Sequence, residues 1–274
     1  MKGYRDEAMT NHSADIWHGR RFEFGKNWAR FLSVLNEERI IEAEKSLRTM
    51  LSMESMAGKS FLDVGSGSGL FSLAAKRMGA SVHSFDYDSE SVACTRELKR
   101  RSFPHDVNWI IEDGSVLDSA YLGALGEFDI VYSWGVLHHT GAMWKALRNI
   151  VPLVRREGQL FVAIYNDQGW RSTYWKWIKQ LYNINPTIKL VTIVLHAPYL
   201  FGGRLLFRFA TGRRRTERGM SLWHDMVDWV GGFPFEVAKP EEILEFYTHR
   251  GFVLEKLRTS GGLGCNEYVF RKLR

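Results

Sequence analysis

Cysteine is scarce: the 274 residues hold only two, Cys94 and Cys265, 171 positions apart and in no metal-ligand spacing. That excludes a disulfide framework, implies no metal, and suits a reducing cytoplasm. Long apolar runs are lacking too. The longest, Leu190 to Phe201, has 12 residues, is broken by Thr192, His196 and Pro198, and is too short to span a bilayer. The N-terminal Met1-Lys2-Gly3-Tyr4-Arg5-Asp6-Glu7 lacks the apolar core of a secretion signal. No internal repeat, low-complexity tract or Pro/Gly/Ser linker divides the chain, so a single domain is expected.

What is present is a globular composition, 45% apolar and 14% aromatic, which excludes disorder as the main state. The net charge of +6 is local: residues 204–218 hold six arginines and one glutamate, leaving about +1 for the rest of the chain. A grip on nucleic acid by the whole protein does not follow from such a patch.

From Phe61 to about Ile164, short β-rich runs alternate with helical stretches, the pattern of a parallel sheet covered on both faces. Strands are predicted at 61–64, 81–86, 107–112, 128–133 and 158–165, with helices near 69–79, 89–102 and 142–154. A helix follows at 240–250, with Pro240 at its start and Gly251 past its end. Strands at 252–259 and 267–272, joined by a Gly-rich loop, read as an antiparallel pair closing a seven-stranded sheet. The fold class is therefore α/β, doubly wound and Rossmann-like. Its expected parts are a helical N-terminal cap (1–57), a cofactor-binding core (58–165), a substrate-side insertion (166–235) and a C-terminal helix and strand pair (236–274). The insertion holds five of the ten tryptophans and the arginine cluster.

Phe61-Leu62-Asp63-Val64-Gly65-Ser66-Gly67-Ser68-Gly69 is a strand that ends in GxGxG and runs into a helix. Such a turn lets backbone approach a ligand and offers it helix N-terminal N–H groups. Asp86 closes the second strand, 23 residues after Asp63, where a carboxylate accepts both hydroxyls of a ribose. That arrangement fits NAD as well. The spacing differs from GxGxxG, however, and an acidic Asp63 just ahead of the loop would repel a pyrophosphate but could serve an ammonium, directly or through water.

Taken in order, DVGSGSG (63–69), Asp86, Glu112-Asp113-Gly114-Ser115 and FDIVYSWGVLHHT (128–140) resemble the motifs of class I S-adenosylmethionine-dependent methyltransferases. The style is similar to ubiquinone-pathway O-methyltransferases and to glycan or natural-product enzymes. The resemblance implies S-adenosyl-L-methionine as cofactor and S-adenosyl-L-homocysteine as its product. The cofactor would be held by Asp63, Gly65, Ser66, Gly67 and Gly69 at the methionine moiety, Asp86 at the ribose, and Asp113, Gly114 and Ser115 at the adenine. Ser133 and Trp134 complete that set, and Val116 and Trp134 are the candidate flanks of the adenine ring. Ser66 stands where the family more often has Cys or Gly.

Methyl transfer from a sulfonium is an in-line displacement that needs alignment and exclusion of water, and for a hydroxyl acceptor a general base. His138 and His139, just past the fourth strand, are candidates either for that base or for bonding backbone near the cofactor. His224 is a third, with Asp228 at i+4 to orient it or merely to pair with it. Asn166, Arg171, Trp175, Asp225 and Trp229 are the candidate substrate-binding residues, and a small molecule is the expected acceptor. Nucleic acid is disfavoured, because no Asn/Asp-Pro-Pro-aromatic or Pro-Cys motif occurs. Phe22, Phe24, Trp28 and Phe31 are candidates for a lid. Residues 188–218, apolar and basic, suggest either peripheral contact with the inner membrane face or ordinary packed helices with a solvated loop.

Overall fold

The computed structural model describes residues 22, 24–185, 187–196, 198, 202, 229–262 and 264–273. His224, Asp225, Asp228 and the arginine cluster of 204–218 lie outside them.

Helices α1 (Phe24–Ser33) and α2 (Glu37–Leu51) precede the sheet. Asn36 separates them, its side chain capping α2 through the Arg39 N–H at 3.1 Å. Five strands and their crossovers follow: β1 (Ser60–Val64), α3 (Leu70–Arg77), β2 (Ser81–Asp86), α4 (Ser89–Ser102), β3 (Trp109–Asp113), α5 (Ser119–Gly123), β4 (Phe128–Trp134), α6 (Met143–Asn149) and β5 (Val154–Tyr165). After β5 come α7 (Trp170–Tyr182), α8 (187–196), α9 (Pro240–Thr248), β6 (Phe252–Arg258) and β7 (Cys265–Lys272).

The seven strands run in the order β3-β2-β1-β4-β5-β7-β6. The first five are mutually parallel, and β7 is antiparallel to both β5 and β6. The strand order reverses between β1 and β4, which opens a crevice at the carboxyl ends of the strands. Period-two alternation sorts the core onto both faces. In β1, Leu62 and Val64 join the cluster under α6 and α9, while Phe61 joins the one under α1 to α4. Asp63, two residues from Phe61, therefore faces α3. A third cluster forms above the strand ends, where Phe22, Trp175, Tyr182, Val230 and Phe235 pack together.

Several boundaries differ from the sequence reading. Strand β3 begins at Trp109 and not at 107, because Asp106 accepts the Asn108 N–H at 2.6 Å and holds the intervening residues in a turn. The helix expected over 142–154 stops at Asn149: a 3-10 turn carrying Pro152 follows, and Val154 already pairs with Phe128 in β5. The short α5 was not anticipated; Asp118 caps it by accepting the N–H groups of Ala120 and Tyr121.

Candidate active site

The glycine loop leaves β1 at the point where the strand order reverses. Gly65 and Ser66 both give their N–H to the Phe85 carbonyl, at 2.9 and 3.1 Å, which lashes the loop to the end of β2. Gly67 adopts φ +55°, and a Cβ there would lie 3.0 Å from the Trp28 indole nitrogen of α1. Helix α1 is thus laid against the loop. It comes this close because Gly25 has no side chain: its N–H reaches Asp88 Oδ2 at 2.7 Å, and a Cβ would meet Glu90 at 2.4 Å. The same segment touches the far side of the crevice, where the Phe22 N–H bonds the Phe233 carbonyl and the Phe24 ring lies 5.0 Å from His139.

Two carboxylates flank the loop, Asp63 buried and Asp86 half-buried. Asp86 accepts the N–H of Gly67 through Oδ2 and that of Asp88 through Oδ1, both at 2.9 Å. Burial pushes its carboxyl up to about 6 in spite of these bonds. Asp63 lies beneath the loop, facing α3, where Ser72 donates to it at 2.5 Å. The Ser72 hydroxyl also bonds Ser84, which accepts the Trp109 indole N–H, so a chain of polar side chains runs across that face. Burial, with a smaller contribution from Asp86, raises Asp63 to about 7. This set suits a cationic, hydroxyl-bearing ligand. A cation lowers the cost of ionising both groups, and hydroxyl donors satisfy carboxylate oxygens.

The other predicted cofactor residues are distributed as follows. Ser66 and Thr95 bond through their hydroxyls at 3.0 Å. Gly69 begins α3 without a side-chain cap. Asp113 is exposed and paired with Arg96 at 3.2 Å. The Gly114 N–H bonds the Asp86 carbonyl, and the Ser115 hydroxyl accepts the Leu117 N–H. Val116 is buried in the core. Ser133 is fully buried and donates to the Val64 carbonyl at 3.0 Å, tying β4 to β1. The Trp134 indole donates to Glu267 of β7 at 2.9 Å.

His138 and His139 stand at the end of β4 with opposite hydrogen-bond roles. His139 Nδ1 donates to the Pro234 carbonyl at 2.6 Å, which leaves Nε2 as the ring's acceptor. His138 Nδ1 accepts the Tyr165 N–H at 3.4 Å, so its proton sits on Nε2, a fully buried atom with no partner among the described residues. Burial, and after it the neighbouring His139 and Lys179, which both oppose a second positive charge, hold His138 well below the ordinary histidine range. It stays neutral.

Of the predicted substrate residues, two converge. Trp175 and Trp229 pack 5.8 Å apart beside Tyr165 and Phe235. At the centre of this group is a residue that the sequence reading passed over, Lys179, which is fully buried. Its ammonium lies 4.5 Å from the Trp229 ring and 4.7 Å from that of Phe235, and it donates to the Trp229 carbonyl. Lys179 carries no motif, and its ring partners come from β5 and from residues beyond 228; only the tertiary structure assembles them. Asn166 instead bonds Ser260 and Asn266, and Arg171 lies exposed over Trp170.

Comparison with known proteins bears on the domain as a whole. The family described as "Methyltransferase domain" matches residues 62–162, from β1 through most of β5 and including every loop just described up to His139. Residues 62–162 are thus a methyltransferase domain. The fold is also that of magnesium protoporphyrin IX methyltransferase from Synechocystis, solved with S-adenosylhomocysteine bound, at 12% identity and a TM-score of 0.51 over 87% of this chain and 88% of that one. By sequence, this chain is 30% identical over 118 residues to the ubiquinone biosynthesis O-methyltransferase of Pseudomonas paraeruginosa, covering 40% of this chain and 46% of that protein. It is 33% identical over 82 residues to the ribosomal protein L11 methyltransferase of Helicobacter hepaticus, covering 30% of this chain and 25% of that one. The chain thus spans less than half the length of either relative.

Proposed function

We propose that this protein transfers a methyl group from S-adenosylmethionine to a hydroxyl of a small-molecule acceptor. The observation that carries the reading is the pair of carboxylates, Asp63 buried and Asp86 half-buried, set on either side of a glycine loop at the sheet's reversal point, with an aromatic cluster packed at the end of β5. S-adenosylmethionine supplies the electrophilic methyl when bound. The protein has three tasks. Asp86 holds the ribose, with Asp113, Gly114 and Ser115 beside the adenine. Asp63 balances the cationic end of the cofactor from beneath the loop. Helix α1, with Trp28 on Gly67, excludes water from the sulfonium.

On the acceptor side, His139 Nε2 takes the hydroxyl proton, its ring held by the Nδ1–H bond to the Pro234 carbonyl. The packed aromatic cluster of Trp175, Trp229 and Phe235 borders this acceptor side next to Tyr165 and His138. The segment 166–235 is therefore the substrate-side part and 58–165 the cofactor core. The cysteine content supports a reducing cytoplasm as the compartment.

Thermal stabilisation by S-adenosylhomocysteine and S-adenosylmethionine, compared with NAD, tests the cofactor. A ligand at about 100 times its dissociation constant adds about 2.7 kcal/mol. Stabilisation by NAD alone overturns the reading. Mass spectrometry of phenol, sugar and amine acceptors after incubation with isotopically labelled cofactor tests the acceptor class; methylation confined to amines refutes the hydroxyl assignment.

A further inference from the structure

Helix α7 has two apolar faces, and only one of them is used. Ser172, Trp175, Lys179 and Tyr182 are buried on the inner side. On the opposite side Trp170, Tyr174, Trp177 and Leu181 follow one another at helical spacing in solvent, with Trp170 74% and Trp177 67% exposed. Helix α8 continues this face. Leu190, Val194 and Leu195 are 62, 61 and 69% exposed, and a 2.8 Å hydrogen bond between the Tyr174 hydroxyl and His196 Nε2 joins the two helices. An exposed apolar surface built from two helices is uncommon on a soluble protein that works alone.

The charge on these helices narrows what covers them. Neither α7 nor α8 holds an aspartate or glutamate, while Arg171, Lys176 and Lys189 are exposed on them. A second copy docking face to face would set like charge against like. An anionic surface is attracted by about 1 kcal/mol per basic residue at its plane, and tryptophans set among leucine and valine suit the headgroup boundary. Among the described residues no helix is long and apolar enough to cross a membrane, so the contact is peripheral.

We infer that the outer face of α7 and α8 docks this protein on an anionic lipid bilayer. The aromatic cluster around Lys179 then lies on the inner side of the helix that rests on the lipid.

The test is co-sedimentation of the full chain with phosphatidylglycerol/phosphatidylcholine vesicles and with pure phosphatidylcholine vesicles. The expected result is binding to the anionic vesicles only, released by salt, and weakened at least about tenfold by W170S/W177S. Charge reversal in K176E/K189E should weaken it as well, and both variants should keep the wild-type affinity for S-adenosylhomocysteine, which shows that they fold. Equal sedimentation with neutral vesicles, no sedimentation, or binding that neither variant changes overturns the inference. So does a concentration-dependent dimer, seen by light scattering, that W170S/W177S dissolves.

Discussion

Replacing Asp86 by asparagine separates ribose binding from support of the loop. The carboxylate offers two oxygens, which already accept the N–H groups of Gly67 and Asp88 at 2.9 Å, and both keep lone pairs for ribose hydroxyls. An amide offers one oxygen. In either orientation its NH2 faces a backbone N–H and one hydroxyl loses its acceptor. One lost hydrogen bond to a charged group is about 1.5–3 kcal/mol, so affinity for S-adenosylhomocysteine should fall about 10- to 150-fold. Folding stability should change much less, because the variant is also relieved of the burial that raises Asp86 to about 6. The pH dependence adds a second signature. Accepting two hydroxyls requires the ionised form, so wild-type affinity should climb as pH rises toward about 6, at most tenfold per unit for this proton, and then level for this group. D86N should lose that step and keep any that belongs to Asp63. Calorimetric titration from acid to neutral pH measures both. Binding by D86N within threefold of wild type, with an unchanged pH profile, would refute the placement of ribose at Asp86.

Three further outcomes are expected. Gly67→Ala puts a Cβ 3.0 Å from the Trp28 indole at φ +55°, so it should destabilise by roughly 1–2 kcal/mol, and part of that should return in G67A/W28A, read by a denaturation double-mutant cycle. Asp63 is raised to about 7, so the native state binds its proton more tightly than the unfolded chain does. Its stability contribution is therefore greatest below the unfolded carboxylate range and is lost as pH rises through about 7; unfolding curves of Asp63→Asn should lack this decline. His139→Ala should lower turnover about 10²- to 10⁴-fold while S-adenosylhomocysteine affinity stays within threefold, which single-turnover kinetics and calorimetry read separately.

The sequence by itself determined the α/β class, the seven strands with their terminal antiparallel pair, and the glycine loop. These rest on local rules: alternation along a strand, capping residues, and backbone conformations open to glycine. The same rules made the ends of elements harder to read where a side chain captured nearby backbone, as Asp106 does ahead of β3 and Asp118 does at α5. Only the tertiary structure decided what each polar group faces. The identity of Asp63 is plain in the motif, but its bond to Ser72 follows from the side of β1 on which it lies. His138 and His139 are adjacent and chemically identical, and they acquire opposite tautomers because one meets a backbone N–H and the other a carbonyl. Lys179 reads as an ordinary helix-surface lysine until Trp229 and Phe235 close over it from some 50 residues away. Periodicity records which face of an element is buried; it holds no record of which distant element covers that face, and the chemistry of this site is set by those distant contacts.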